Sequence, residues 1–161
     1  ALEVLDLSGN EIQSIDLGPL GRCQSLSALL LANNQLSTID LAPLASLSNL
    51  EWIDISGNEI KTVNLEPLAS SACLERLSLG DNALSSIDLT PLSACDDLGE
   101  LLLDGNPLEE IDIGPLFSCY ALLVFKYPAD ATLYASKELA DSPMIPPAIE
   151  NLITSEAIEF R

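Results

Sequence analysis

The chain contains no histidine, only six basic residues among 161, and only seven aromatic ones: three Phe, three Tyr and one Trp. The lack of histidine removes the commonest general base, the serine and cysteine triads built on it, and most zinc chemistry. The scarcity of aromatics means that any core must be made of Leu, Ile, Val and Ala. The shortage of Lys and Arg against 25 acidic residues leaves a net charge of −19, which repels phosphate backbones and anionic headgroups and so disfavours nucleic-acid and membrane-surface roles. Such acidity keeps a protein soluble, favours basic partners and also resembles adaptation to a salty cytoplasm; composition does not separate the three readings. No apolar run approaches the roughly 18 residues of a membrane span, and no signal peptide opens the chain. The four cysteines Cys23, Cys73, Cys95 and Cys119 form no CxxC pair, and there is no N-x-Ser/Thr glycosylation site. Together these absences predict a cytoplasmic, reducing setting. No P-loop or G-x-G-x-x-G is present, so no cofactor is expected.

What the sequence has is repetition. At a period of 24 it aligns with itself without a gap from Leu2 to Ala121, in units starting at 2, 26, 50, 74 and 98 that share the pattern LxxLxLxxNxLxxIDLxPLxxCxx. The alternation in Leu5-Asp6-Leu7 or Ile53-Asp54-Ile55 is the period-two signal of a short strand with one buried face, and identical strands at a fixed interval stack in parallel. The ladder Asn10, Asn34, Asn58, Asn82, Asn106 follows the strands, where an inward amide satisfies backbone groups left unpaired as the chain bends. Pro19, Pro43, Pro67, Pro91 and Pro115 fix φ and lack an N–H, so each marks the start of a short helical or 3-10 turn. Leu20, Leu44, Leu68, Leu92 and Leu116 then return to the core, joined by Cys23, Leu47, Cys95 and Cys119.

This pattern resembles the leucine-rich-repeat family, whose L-x-x-L-x-L-x-x-N-x-L signature recurs five times in succession over about three quarters of the chain. The resemblance implies an α/β fold: a right-handed leucine-rich-repeat solenoid, or horseshoe, with a parallel β-sheet on the concave face, short helical or 3-10 turns on the convex face and a helical C-terminal cap. Residues 1–121 form the five repeats. Residues 122–161 form a degenerate sixth repeat and the cap, with Leu122 to Tyr127 as its strand, a helix near Leu133 to Asp141, a breaker at Ser142 to Pro146, and a second helix opening near Pro147. Ala1-Leu2 enters the pattern inside a repeat with no capping segment, which predicts a piece of a longer protein whose open N-terminal coil is available for self-association.

The resemblance also implies binding of another protein through exposed strand residues of the concave surface. Carried over by position, the outward columns are Asp6, Leu30, Asp54, Ser78, Leu102, Lys126 and Val4, Ala28, Trp52, Arg76, Glu100, Val124. Trp52 and Arg76 are of the residue types most often found as interface hot spots, so the expected partner-binding residues are Trp52, Arg76, Leu30, Asp54, Leu102, Glu100, Asp6 and Lys126, facing a partner with a basic patch. The sparer alternative has Trp52 merely lying along the sheet beneath Arg76. The ladder Asp16, Asp40, Asn64, Asp88, Asp112 reads as capping of the helical turns rather than as a Ca²⁺ site. Cys95 and Cys119 read as buried free thiols, with Cys73 out of phase and more exposed. The sheet is expected to be open, with no pocket that would raise one carboxylate's pKa over another's, so no enzyme is expected. The competing class is a structural or self-associating scaffold.

Overall fold

The computed structural model describes residues 1–161. Nine strands and one α-helix run in the order β1 (Val4–Asp6), β2 (Ala28–Leu30), β3 (Trp52–Asp54), β4 (Arg76–Ser78), β5 (Glu100–Leu102), β6 (Glu110–Asp112), β7 (Val124–Lys126), β8 (Thr132–Ala135), α1 (Pro147–Thr154) and β9 (Ile158–Phe160). Each strand is short because only the LxL step of a coil alternates between core and surface. Strands 24 residues apart pair in parallel and in register, giving one six-stranded sheet of order β1-β2-β3-β4-β5-β7.

Opposite this sheet the chain turns in five 3-10 helices, Gly18–Arg22, Ala42–Ser46, Glu66–Ser70, Thr90–Ala94 and Gly114–Ser118. In each, proline occupies the second position, where its missing N–H costs nothing, and the following Leu donates to a carbonyl three residues back, as Leu44 N to Leu41 O at 2.8 Å. The residue before each IDL leucine acts from outside the turn. Asp40 Oδ1 accepts the Ala42 N–H at 2.9 Å, and Asn64 Oδ1 the Glu66 N–H at 3.0 Å.

Between sheet and turns lies a single apolar core running the length of the molecule. Leu29, Leu31, Leu36, Leu44 and Leu50 are fully buried, as are their counterparts one coil on, Ile53, Ile55, Leu68 and Leu74. A fully buried Leu is worth about 1.5–3 kcal/mol, and it is buried only because a coil lies on either side. The first coil shows the converse: Leu5, Leu7 and Ile12 are only half-buried.

The asparagine ladder binds coil to coil as well as holding the turn. Asn58 Nδ2 donates to its own coil at Ile55 O (3.1 Å) and to the preceding coil at Leu31 O (3.1 Å), while its Oδ1 accepts the Leu36 N–H of that preceding coil at 3.0 Å. Asn34, Asn82 and Asn106 repeat this arrangement, and all four are buried. Asn10, with no coil before it, is exposed and bonds only to Leu7 O and Ser8 O. One place earlier, Gly9, Asn33, Gly57, Asp81 and Gly105 all have positive φ, between 51° and 71°. Every coil therefore turns through the left-handed region at the same point.

The C-terminal segment departs from the expected helix near Leu133 to Asp141. Thr132–Ala135 is a strand, and only Lys137–Asp141 turns, as a 3-10 helix. The alternation Thr132-Leu133-Tyr134-Ala135 buries Leu133 and Ala135 and pairs with β6 in the coil before it, with β9 added beyond, so a second parallel sheet of order β6-β8-β9 closes this end. The cap is thus mixed. The helix α1 does open at Pro147, and it buries Ala148 and Ile149 against the last coil, with Ala148 N donating to Leu122 O at 3.0 Å. No helix is long and apolar enough to cross a membrane.

Candidate partner-binding face

The parallel register places the outward residues of β1 to β5 and β7 in two straight columns. Val4, Ala28, Trp52, Arg76, Glu100 and Val124 form one, and Asp6, Leu30, Asp54, Ser78, Leu102 and Lys126 the other. Adjacent members stand about 4.8 Å apart, so side chains a full repeat apart in sequence touch. Trp52 keeps 36% of its surface exposed. Arg76 lies over it, with the guanidinium carbon 5.3 Å from the ring centroid. That guanidinium makes no ion pair; the only salt bridge in the protein joins Arg161 to Glu110 at the C-terminal end.

Two residues after each acid of the second column, exposed Asp6 and half-buried Asp54, the backbone turns away from the strand and offers an N–H. Asp54 Oδ1 accepts both the Ser56 N–H at 3.0 Å and the Ser56 hydroxyl at 2.6 Å, which fixes the carboxylate and leaves Oδ2 free. Asp6 Oδ1 likewise accepts the Ser8 N–H at 2.9 Å, and these Ser8 bonds hold its carboxyl below the usual carboxylate range.

The face is not flat. Trp52, Asp54, Arg76, Leu77, Ser78, Glu100 and Leu102 surround a hollow of about 110 Å³. The cause is Ser78. It is the smallest side chain in a column otherwise made of Asp, Leu and Lys, so the sheet sinks there between Asp54 and Leu102. A second, shallower depression shares Arg76 and Glu100 and is walled by Leu123 and Val124, which are 68% and 38% exposed. Of the residues expected from the sequence, Trp52, Asp54, Arg76, Glu100 and Leu102 converge on the hollow. Leu30 stands one strand outside it, and Asp6 and Lys126 lie at the two edges of the sheet. Sequence reasoning placed Ser78 in its column but did not single it out; its small size was the available signal.

The acid ladder of the turns has no such convergence, because each member's Oδ1 is engaged by the N–H two residues on. Cys95 and Cys119 are fully buried and donate to Leu68 O and Leu92 O, while Cys73 is exposed. Burial pushes their thiols up, to about 11 for Cys95 and about 12 for Cys119.

With this geometry in hand, likeness to known proteins is informative. The sequence model described as leucine rich repeat matches residues 1–60. An internalin C2 from Listeria monocytogenes is 32% identical over 78% of this chain and 51% of that chain, with a TM-score of 0.60. A leucine-rich-repeat protein of Leptospira interrogans is 22% identical over 86% of this chain and 40% of its own, at a TM-score of 0.68. A plant peptide hormone receptor, RGFR1, solved in complex with RGF2, is 23% identical over 86% and 22%, at 0.73. The chain therefore spans about half or less of the length of these structures. No curated protein matches it.

Proposed function

Because the chain belongs to the leucine-rich-repeat family, whose members generally serve protein–protein interaction without catalysing reactions, we propose that it recognises a partner protein on the face of its six-stranded sheet. The observation that carries this reading is Trp52, exposed on the sheet, overlaid by an unpaired Arg76 and bordered by carboxylates. A rigid aromatic and a guanidinium at the centre of a concave patch, with polar groups around them, is the composition of an interface hot spot. Asp54 and Glu100 beside the hollow, and Asp6 farther along, outnumber Arg76 and Lys126, so the partner presents a basic patch. In this reading residues 1–121 form the recognising array, residues 122–161 seal its end, and the whole serves as the regulatory or adaptor part of a larger protein. The free thiols fit a reducing, cytoplasmic compartment.

The test is capture of partners from the source cell with the wild-type protein and with the Trp52→Ala, Arg76→Glu double variant. Loss of a partner from a variant with an unchanged circular dichroism spectrum supports the reading, and retention of every partner removes it. The competing reading is a self-associating scaffold. Sedimentation across a dilution series separates the two, since self-association alone gives a mass that rises with concentration.

A further inference from the structure

The hollow beside Trp52 is too small for a free ligand and too well equipped to be a packing fault. A bound water needs about 10–15 Å³ of such space and a small-molecule site about 300–1,000 Å³, so a hollow of about 110 Å³ accommodates the end of one side chain. Its floor is the Ser78 hydroxyl. Ser78 is 9% exposed, and its hydroxyl bonds to no other group of the protein. The one fully enclosed hydroxyl without a partner is that of Ser71; the Ser78 hydroxyl instead keeps its remaining surface open to the hollow, where a ligand donor can take the place of water.

Two more acceptors flank the floor. Asp54 is clamped by Ser56 with Oδ2 left over, and the Glu100 carboxylate is unbonded, one column across and one strand on. Leu102 and the Trp52 ring supply apolar walls. Two carboxylates against the single Arg76, whose guanidinium is drawn onto Trp52, leave the hollow one negative charge in excess.

We propose that this hollow receives the ammonium end of a lysine side chain from the partner, an inference that rests on the partner-recognition reading above. An ammonium has three N–H donors on a compact head, and Asp54, Ser78 and Glu100 offer three acceptors around one small space. The methylene stem lies along Leu102 and Trp52, burying its apolar length while the head is paired. A guanidinium is wider and planar and prefers a carboxylate approached side-on, so it fits this three-sided cup less well.

Because Trp52 is the only tryptophan, its indole N–H gives a single two-dimensional NMR signal that reports on the site. The probes are the acetylated, amidated forms of lysine, arginine and norleucine, which share a similar stem and differ at the head. The lysine form moves the indole signal to saturation, and the arginine and norleucine forms bind at least about tenfold more weakly. Ser78→Leu installs the residue that Leu30 and Leu102 already carry in the same column, so it fills the hollow in a folded protein and abolishes the lysine response. Glu100→Gln keeps the shape, removes one charge and weakens binding about tenfold.

A lysine response that never saturates, an equal response to norleucine or arginine, or a response that survives Ser78→Leu would each overturn the proposal. If a captured partner is lost on Trp52→Ala, Arg76→Glu but retained by Ser78→Leu, the recognition face stands and the lysine cup does not.

Discussion

The Arg76 guanidinium lies 5.3 Å from the centroid of the Trp52 ring, in the adjacent strand and in direct register with it. An exposed cation–π contact contributes about 0.5–1 kcal/mol, which is small beside a core leucine. Trp52→Ala, which also gives up the covered part of the ring, therefore lowers the melting temperature by several degrees without unfolding the protein, while removing the centre of the proposed interface. Calorimetry and partner capture on the same preparation check both halves; a collapse of the fold would show Trp52 to be structural.

Within the asparagine ladder the consequences of a substitution depend on position. Asn58→Ala leaves the Leu36 N–H and the Ile55 and Leu31 carbonyls without their buried partner. The expected loss is about 2–4 kcal/mol, from the cost of orphaned buried polar groups. Asn10→Ala, at an exposed position whose amide bonds only within its own coil, should cost no more than about 0.5 kcal/mol. Urea unfolding midpoints of the two variants measure the difference.

Gly57 occupies the left-handed turn with φ of 63°, and an added methyl would run into the side chain of Asn33 in the coil before it. Gly57→Ala is expected to destabilise by about 1–2 kcal/mol from conformation alone, with the clash in addition. Asn33→Gly in the same molecule removes the clash but not the conformational cost. A double-mutant cycle should accordingly show positive coupling between the two positions.

The thiols divide by burial. Cys73, exposed, reacts first with a thiol reagent at pH 8, while Cys95 and Cys119 stay protonated and enclosed until the protein unfolds. Their folded pKa values, about 11 and about 12, lie above the ordinary 9.0. The protonated form is thus favoured by folding, so their contribution to stability is full below pH 9 and is lost as pH rises through 9 toward 11 and 12. Melting temperatures across this range should fall more steeply for the wild type than for a Cys95→Ala, Cys119→Ala variant.

The repeated units left little about the core and sheet undetermined in the sequence. Leu29, Ile53, Leu77 and Leu101 share one position in the 24-residue pattern, and a single strand assignment fixed all of them. The columns holding Trp52 and Arg76 followed from the same register. Where repetition stops, local pattern had to serve alone. Thr132–Ala135 read as helix because no second copy marked it as a strand, and its partner β6 is hidden in the IDL step that elsewhere makes no ladder. The hollow at Ser78 was illegible for a different reason: it is the space left by an absent side chain, and its walls come from three coils.

Every buried ladder asparagine reaches toward the coil preceding it, and none reaches ahead. Each turn of the chain is therefore completed by its successor, which gives assembly a direction. A coil without its successor keeps a carbonyl and an amide unpartnered, as Leu31 O and Leu36 N would be without Asn58. Shortening from the front strips an asparagine of one acceptor and one donor, as Asn34 would lose Leu7 O and the Ile12 N–H, whereas shortening from the back leaves the backbone groups of the remaining coil unpartnered.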